Sequence, residues 1–343
     1  MAEMNDIVKL AVDLHRGSVE KYSVDEANET LRNALIAANN NSTKLDFRAI
    51  RDGKCNGLFA IVETILQKTV IEGLTGNEFF MNYVDFRNLA EGDENNFVVE
   101  NNDLFVVAKA ANGTQGIRRQ RLDGYVETPI KTDVRIIRIY EELNRVLAGR
   151  VDFNEMINRV GKSFEQQILN DIYALWIAST TPAPITGGAP MGSAVYFPAA
   201  GSYSEDALLT LVEHVEAAAG GQQATIIGTK KALRSAKESV QSDGAKEEVH
   251  NMGYYGNFYG TACMAVPQRH MVGTTSFVLN DKVLTVVAGP EKPIKFVYEG
   301  DPLIIPGDPL QNADLTQEYV YAQKYGMGLV LSGNTGIGCY TMT

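Results

Sequence analysis

Residues that build metal and disulfide sites are scarce in this sequence. Its three cysteines, Cys55, Cys263 and Cys339, are scattered over 343 residues, with no CxxC pair and no histidine at the spacing of a metal ligand. Isolated cysteines of this kind are typical of free, buried thiols. The sequence therefore predicts no disulfide framework, no metal site and no cofactor.

A secretory signal and a membrane span are also missing from the sequence. The opening MAEMNDIVKL has neither a basic stretch nor an apolar run of signal-peptide length. The most apolar early segment, residues 58–70, is interrupted by Glu63, Gln67 and Lys68. We therefore expect a protein that is made and kept in the cytoplasm and has no membrane partner.

Basic residues are too few for a protein that binds phosphates by neutralising them. Lysine and arginine number 31 against 42 aspartates and glutamates, which gives a formal net charge of -11. This balance disfavours sequence-specific binding to nucleic acid, so any nucleic acid partner is expected to be enclosed. Hydrophobic content of 45% is ordinary for a folded protein, and the length allows two or more lobes.

Catalytic motifs are sparse as well. A thiolate nucleophile needs a nearby base, and the one candidate pair is Cys263 with His270, in a predicted buried strand and the loop after it. A cysteine-dependent hydrolase is the alternative that this pair leaves open. The glycine-rich tail 333–338 has no helix after it that could receive a phosphate, and no acidic pair has a spacing typical of acid–base catalysis. We predict that the protein is not an enzyme.

The longest periodic segment is a predicted helix at residues 152–178. Asp152 followed by Glu155 indicates its N-terminal cap. At about 1.5 Å per residue the helix spans roughly 40 Å, enough to brace an extended subunit, although an ordinary long core helix is the alternative. Its apolar residues recur at three- and four-residue steps and form one stripe: Phe153, Met156, Ile157, Val160, Phe164, Ile168, Leu169, Ile172, Leu175 and Trp176.

Shorter elements surround this helix. Amphipathic helices are predicted at 6–14, after the capping pair Ser23 and Glu26, and at 57–72, where Gly73 is expected to end the helix. Proline and glycine between residues 180 and 202 predict a crossover to a second, α/β lobe, and the last quarter of the chain is predicted to be strands. We expect the two lobes to share a sheet, because these late strands need partners from earlier in the chain.

A long hairpin is predicted between residues 95 and 132, with turn residues near Asn112 and Gly113. Complementary charge on its two ends is typical of a limb that contacts a neighbouring copy, where charge fixes the register of the contact. A solvated hairpin with ordinary surface charge is the alternative. We predict contacts between subunits at the basic residues of the returning arm and the acidic residues near the outgoing arm: Arg118, Arg119, Arg121, Glu91, Asp93, Glu94, Glu100 and Asp103.

In this order the elements resemble the major capsid protein of tailed bacteriophages, the Hong Kong ninety-seven-type fold that encapsulin shells share. The resemblance covers residues 79–338. It lies in NYVDFRNLAEGDENNFVV and GIRRQRLDGYVETPIKT around the hairpin, and in IYEELNRVLAGRVDFNEMINRVGKSFEQQILNDIYALW at the long helix. It continues in ATIIGTKKALRS, YYGNFYGTACMAVPQ, PIKFVYEGDPLI and EYVYAQKYGMGLVLSGNTGIG.

The resemblance implies an α+β fold, the phage major-capsid fold, in which the long helix is the spine helix. Members of this family often begin with a removable scaffolding segment, and residues 1–41 are the candidate for such a segment in this sequence. The implied parts are a helical N-terminal arm at 1–78, a peripheral domain at 79–94 and 133–202, an extended hairpin loop at 95–132, an α/β axial domain at 203–271, and closing peripheral strands with a tail at 272–343.

The function that the resemblance implies is structural. Hexamers and pentamers would form an icosahedral shell that encloses double-stranded DNA, assembled in the host cytoplasm with portal and scaffolding proteins. In some members a loop lysine bonds covalently to an asparagine of a neighbour, and Lys109 and Asn334 lie in the corresponding regions. An encapsulin-like compartment for protein cargo would use the same fold and is the alternative. Either shell would bury the surfaces that a single subunit leaves exposed.

Overall fold

The computed structural model describes most of the chain. The described residues are 2–16, 23–43, 47–93, 95–99, 107, 109, 119, 126–140, 153–180, 195–237, 243–271, 274–306, 318–330 and 335–343. Within these ranges, every helix is too short or too polar to cross a membrane.

Five helices precede the first strand: α1 Ala2–Arg16, α2 Val24–Ala38, α3 Phe47–Arg51, α4 Asn56–Thr75 and α5 Glu78–Tyr83. The capping box predicted for α2 is confirmed. The Glu26 N–H donates to the Ser23 hydroxyl at 3.3 Å, and the Ser23 N–H donates to the Glu26 carboxylate at 3.2 Å. The apolar faces of α1, α2 and α4 are buried in one core, which includes Val8, Leu31 and Leu58.

The long predicted helix is confirmed as α6, Phe153–Thr180. Its stripe is buried from Val160 to Trp176 against the N-terminal helices, and Tyr173, which the periodic pattern omitted, is buried with it. The expected cap Asp152 lies outside the described residues, as do the side chains of Phe153, Met156 and Ile157. The apolar faces of α1, α2 and α4 and that of α6 therefore bury one another.

Gly73 does not end α4, which continues to Thr75. A Cβ atom on Gly73 would lie 2.7 Å from the carboxylate of Glu165, and one on Gly161 would lie 3.1 Å from Thr69. Both glycines therefore let α4 and α6 approach each other closely. The glycine that the sequence suggested as a stop signal serves helix packing instead.

The first sheet has five strands: β1 Val84–Leu89, β4 Asp133–Tyr140, β10 Ile294–Glu299, β11 Leu303–Pro306 and β12 Glu318–Leu329. Their order is β1-β10-β12-β11, and β4 also pairs with β12. Only the β1–β10 pairing is parallel. The Tyr325 hydroxyl donates to Asp171 of α6 at 3.2 Å, which joins one face of this sheet to the long helix.

The second sheet runs in the order β5-β13-β9-β6-β8-β7. Its strands are β5 Val195–Gly201, β6 Thr225–Gly228, β7 Asn257–Phe258, β8 Thr261–Ala265, β9 Val283–Ala288 and β13 Gly336–Met342. The helices of this part are α7 Glu205–Ala218, α8 Lys230–Ser235 and α9 Asp243–Met252. Helix α7 packs on the sheet through Leu208, Leu211 and Val215.

This sheet corrects two expected boundaries. Strands β9 and β13, expected among the peripheral strands at 272–343, lie in the second sheet, and so does β5, expected at the end of the peripheral domain. Buried residues on both faces of β9 and β13 explain their central position. The late strands β10 and β12 pair with the early strands β1 and β4 in the first sheet, as expected, whereas the late strands β9 and β13 lie in the second sheet.

The predicted hairpin is present at its base. Strand β2, Asn96–Val99, pairs antiparallel with β3, Val126–Pro129. Residues 100–106, 108, 110–118 and 120–125, which include the predicted turn near Asn112, lie outside the described residues.

Candidate subunit interface

We call residues 92–93 and 95–99 the first leg of the hairpin, residues 126–132 its second leg, and the end at which they meet the sheet its root. Two hydrogen bonds, which we call the rung, join the legs at the root. The Asn95 side-chain amide donates to the Ile130 carbonyl at 2.7 Å, and the Ile130 N–H donates to the Asn95 carbonyl at 3.4 Å. Phe97 of β2 is 2% exposed and packs in a small core with Ile130, Val297 and Val330. The hairpin therefore leaves the body from a packed, hydrogen-bonded base.

Two cations lie against the Phe97 ring. The Arg87 guanidinium is 4.0 Å from the ring centroid, and the Lys295 ammonium is 5.7 Å from it. Asp85 lies 3.2 Å from Lys295 and 3.4 Å from Arg87. Lys295 is buried, and a buried ammonium needs such a partner. This cluster holds β2 against β1 and β10.

Glu299, at the end of β10, contacts both legs of the hairpin. Its carboxylate accepts a hydrogen bond from the Gly92 N–H at 3.4 Å before β2, and another from the Thr132 hydroxyl after β3. The Lys324 ammonium of β12 donates to the same carboxylate at 2.6 Å. The hydrogen bond from Lys324 and then the one from Thr132 lower the pKa of the Glu299 carboxyl to about 2.

The second leg crosses directly over β12 at two glycines. A Cβ atom on Gly326 would lie 2.3 Å from the Lys131 carbonyl oxygen, and one on Gly328 would lie 3.3 Å from the Ile130 side chain. Glycine within a strand often marks such a close approach of another backbone. Residues 130–132 therefore reach β4 by passing over the sheet surface.

The face of the first sheet that points away from the long helix exposes apolar side chains, and two cations, Arg138 and Lys324, lie on the same face because they pair with Val320 and Val134. Ala322 of β12 pairs with Ile136 of β4 on one side and with Leu303 of β11 on the other. Opposed residues lie on the same face of a sheet, and Ile136 and Leu303 are 63% and 54% exposed. Val134 and Ile305 extend the patch. We call these four exposed residues, Val134, Ile136, Leu303 and Ile305, the outer face.

The inner face of the same strands shows the opposite pattern. Tyr321, which pairs with Ile137 and Ile304, is buried in the main core. Buried residues alternate with more exposed ones in β11 and in most of β12, whereas residues 133–136 of β4 are all exposed. The outer face is therefore formed by residues that do not face the main core. Exposed apolar side chains grouped on one face of a sheet indicate a protein–protein contact surface.

Of the charged residues predicted to make contacts between subunits, the structure describes three. Glu91, Asp93 and Arg119 are all exposed. The other predicted contact residues lie outside the described residues: Arg118, Arg121, Glu94, Glu100 and Asp103. For the predicted cross-link, Lys109 is exposed and Asn334 lies outside the described residues.

The cysteine–histidine pair does not come together in one cavity. Cys263 is partly buried and lines a cavity of about 560 Å³, and the residues around this cavity include no histidine among the described part of the chain. The His270 ring stacks on Phe277 with 5.3 Å between centroids. A thiolate needs its base at hydrogen-bond distance, so this arrangement gives the hydrolase alternative no support. No cluster of potential metal ligands occurs in the ranges that the structure describes.

Sequence reasoning missed the residues that fix the hairpin root. Glu299, Thr132 and Lys324 are far apart in the chain, so no local pattern connects them. Alternate glycines at Gly326 and Gly328, inside a strand, were the one available signal.

Comparison with solved structures places the fold among phage capsid proteins. The subunit in the asymmetric unit of the bacteriophage PhiM1 mature capsid superimposes with a TM-score of 0.50 at 11% identity, over 78% of this chain and 87% of that one. The capsid of Helicobacter pylori bacteriophage KHP30 gives 0.48 at 8% identity, over 78% and 92%. The capsid of cyanophage P-SCSP1u gives 0.45 at 12% identity, over 77% and 88%.

The fold is thus the Hong Kong ninety-seven-type fold that the resemblance implied, a mixed helix and sheet architecture of capsid subunits. A family model described as "SPbeta prophage-derived putative capsid protein YonB" matches residues 3–341, and the chain belongs to this family. No curated protein sequence matches it. The protein is a structural major capsid protein, and its place is the virion.

Proposed function

We propose that identical copies of this chain assemble as hexamers and pentamers into an icosahedral shell that encloses double-stranded DNA. The observation that carries this proposal is the exposed outer face of the first sheet. Val134, Ile136, Leu303 and Ile305 form an apolar surface that water does not favour, and repeated copies in a closed shell would bury it.

The hairpin supplies the second contact of the proposed shell. Its root is fixed to the body, while Val98 beside the root is 54% exposed and Val107 farther along is 95% exposed. Burial of such exposed apolar side chains against a neighbouring copy would stabilise the contact. In the proposed shell the charged residues of the hairpin fix the register between neighbours: Arg118, Arg119, Arg121, Glu91, Asp93, Glu94, Glu100 and Asp103.

The net charge supports enclosure of DNA without sequence-specific binding. A chain with 42 acidic and 31 basic residues repels phosphates on average. The shell would act as a wall without enzymatic activity. Portal and scaffolding proteins are its proposed further partners, with assembly in the host cytoplasm.

The N-terminal segment is proposed to stay with the folded subunit. Val8 and Leu14 of α1 and Leu31 and Leu35 of α2 are buried in the main core. Removal of residues 1–41 would expose the facing sides of α4 and α6, and this burial supports the proposal that the segment is retained.

Negative-stain microscopy of the purified protein tests assembly. We expect closed shells, rings or tubes, and dispersed monomers at high protein concentration would contradict the proposal. Ile136→Glu, which places a charge on the outer face, should abolish particles without changing the unfolding midpoint. Val24→Glu is the matched control, because Val24 is equally exposed, at 59% against 63%, but lies on α2.

The content of the particles decides between the two kinds of shell. Particles from infected or induced cells that contain double-stranded DNA support the phage capsid. Particles that contain protein cargo and no DNA would favour the encapsulin-like compartment.

A further inference from the structure

One carboxylate joins the hairpin to the sheet at three points. Glu299 accepts hydrogen bonds from the Gly92 N–H on the first leg, the Thr132 hydroxyl on the second leg and the Lys324 ammonium on β12. We propose that Glu299 is a positioning residue for assembly, which sets the direction in which the hairpin leaves the subunit. This inference rests on the proposed self-assembly.

The role needs an ionised carboxylate. Such a group only accepts hydrogen bonds and has about four acceptor positions, which suits three converging donors. Gly92 and Lys324 donate to one oxygen of the carboxylate, and Thr132 donates to the other. Glutamine at this position would replace one of these acceptor oxygens with an N–H₂ group and would remove the negative charge that pairs with Lys324.

The other contacts at the root serve different purposes. The rung between Asn95 and Ile130 ties the legs to each other, and it would survive if the legs tilted together. Phe97 ties β2 to the body. Glu299 connects both legs to the sheet through hydrogen bonds, in addition to the apolar contacts of Phe97 and Ile130 with Val297 and Val330, so it restrains the tilt of the pair.

A small change of tilt at the root produces a displacement that grows with distance from the root. The 26 residues between β2 and β3 reach at most about 45 Å from the root when fully extended. A tilt of about 10° at the root would displace a point at that distance by about 8 Å, more than the spacing of neighbouring strands. The contact with the next copy would then lose its register.

The test uses two substitutions, one at each end of the hydrogen bond between Thr132 and Glu299. Thr132→Val replaces the donor hydroxyl with a methyl group of similar size, and Glu299→Gln removes the charge. Glu213→Gln, at an exposed position of α7, is the matched control. The measurements are the unfolding midpoint, amide hydrogen exchange at residues 95–99 and 126–132, and the diameters of assembled particles by microscopy.

We expect Thr132→Val and Glu299→Gln to keep the unfolding midpoint within a few degrees. Exchange at the root should become about tenfold faster, as loss of a charged hydrogen bond implies, and particles should be open or of mixed diameter. Glu213→Gln should match the wild type. The Thr132 variant decides alone if the Glu299 variant fails to fold, because its change of shape is minimal.

The outcomes separate this inference from the proposed function. If the wild-type protein forms no particles, self-assembly itself is refuted. If it forms uniform shells and both variants do the same, the positioning role is overturned while the proposed function stands, whether or not exchange at the root increases.

Discussion

Substitution of Gly326 is the most specific way to displace the second leg at the hairpin root. A Cβ atom there would lie 2.3 Å from the Lys131 carbonyl oxygen and 2.9 Å from its carbon, both backbone atoms. Ordinary contact needs about 3.4 Å, so Gly326→Ala must push residues 131–132 away from β12 by about 1 Å. That leg is tied to Glu299 through Thr132, so the hydrogen bond there should be lost or distorted.

Gly328 provides the matched control two residues along the same strand. A Cβ atom on Gly328 would meet only the end of the Ile130 side chain, at 3.3 Å, and a side chain can rotate away. We expect Gly326→Ala to lower the free energy of unfolding by about 1–3 kcal/mol, as overpacking does. Gly328→Ala should be within about 1 kcal/mol of the wild type, because alanine also restricts the unfolded chain.

Urea denaturation of the two variants measures this difference, and microscopy of each tests its effect on assembly. Gly326→Ala should also give malformed particles, and Gly328→Ala should give normal ones. Equal stability and equal particle yield for the two alanine variants would show that the leg does not rest on β12 as described.

Three other predictions follow from the same structure. Burial raises the pKa of Glu63, although the Ile304 N–H donates to it at 2.5 Å. Ionisation of Glu63 therefore lowers the free energy of unfolding as the pH rises above the unfolded-state pKa of 4.5. Glu63→Gln should raise the free energy of unfolding more at about pH 7 than at about pH 3.5. An equal effect at the two pH values would contradict this. Phe97→Ala should cost about 3–5 kcal/mol in urea denaturation, against less than about 1 kcal/mol for the exposed control Val98→Ala. Charge reversal of the returning arm should reduce particle yield at an unchanged unfolding midpoint, and normal yield would refute the role given to its arginines, Arg118, Arg119 and Arg121.

The helical part of the fold was predictable because its signals are local. The stripe on α6 and the capping box of Ser23 and Glu26 depend on residues a few positions apart, and both are confirmed. The burial of the N-terminal helices was not predictable in the same way. Amphipathic faces show that a helix packs on something, but not whether the partner is α6 of the same chain or another subunit.

The sheets were harder to predict because strand pairing joins distant residues. Nothing in the sequence of β9 or β13 distinguishes a strand of the first sheet from one of the second, so both were assigned by chain order. The hairpin root has the same difficulty. Thr132 and Glu299 are 167 residues apart, and Gly92 and Glu299 are 207 apart. The charged residues of the hairpin were visible in the sequence, whereas the hydrogen bonds of Glu299 at the hairpin root were not.

Electron cryomicroscopy of assembled particles tests the central claim most directly, because it locates every surface of the subunit relative to its neighbours. We predict a closed shell in which the hairpin of each copy lies on an adjacent copy and the outer face, from Val134 and Ile136 to Leu303 and Ile305, is covered by a neighbouring chain. A particle in which each hairpin folds back on its own subunit and the outer face stays in contact with solvent would contradict the account.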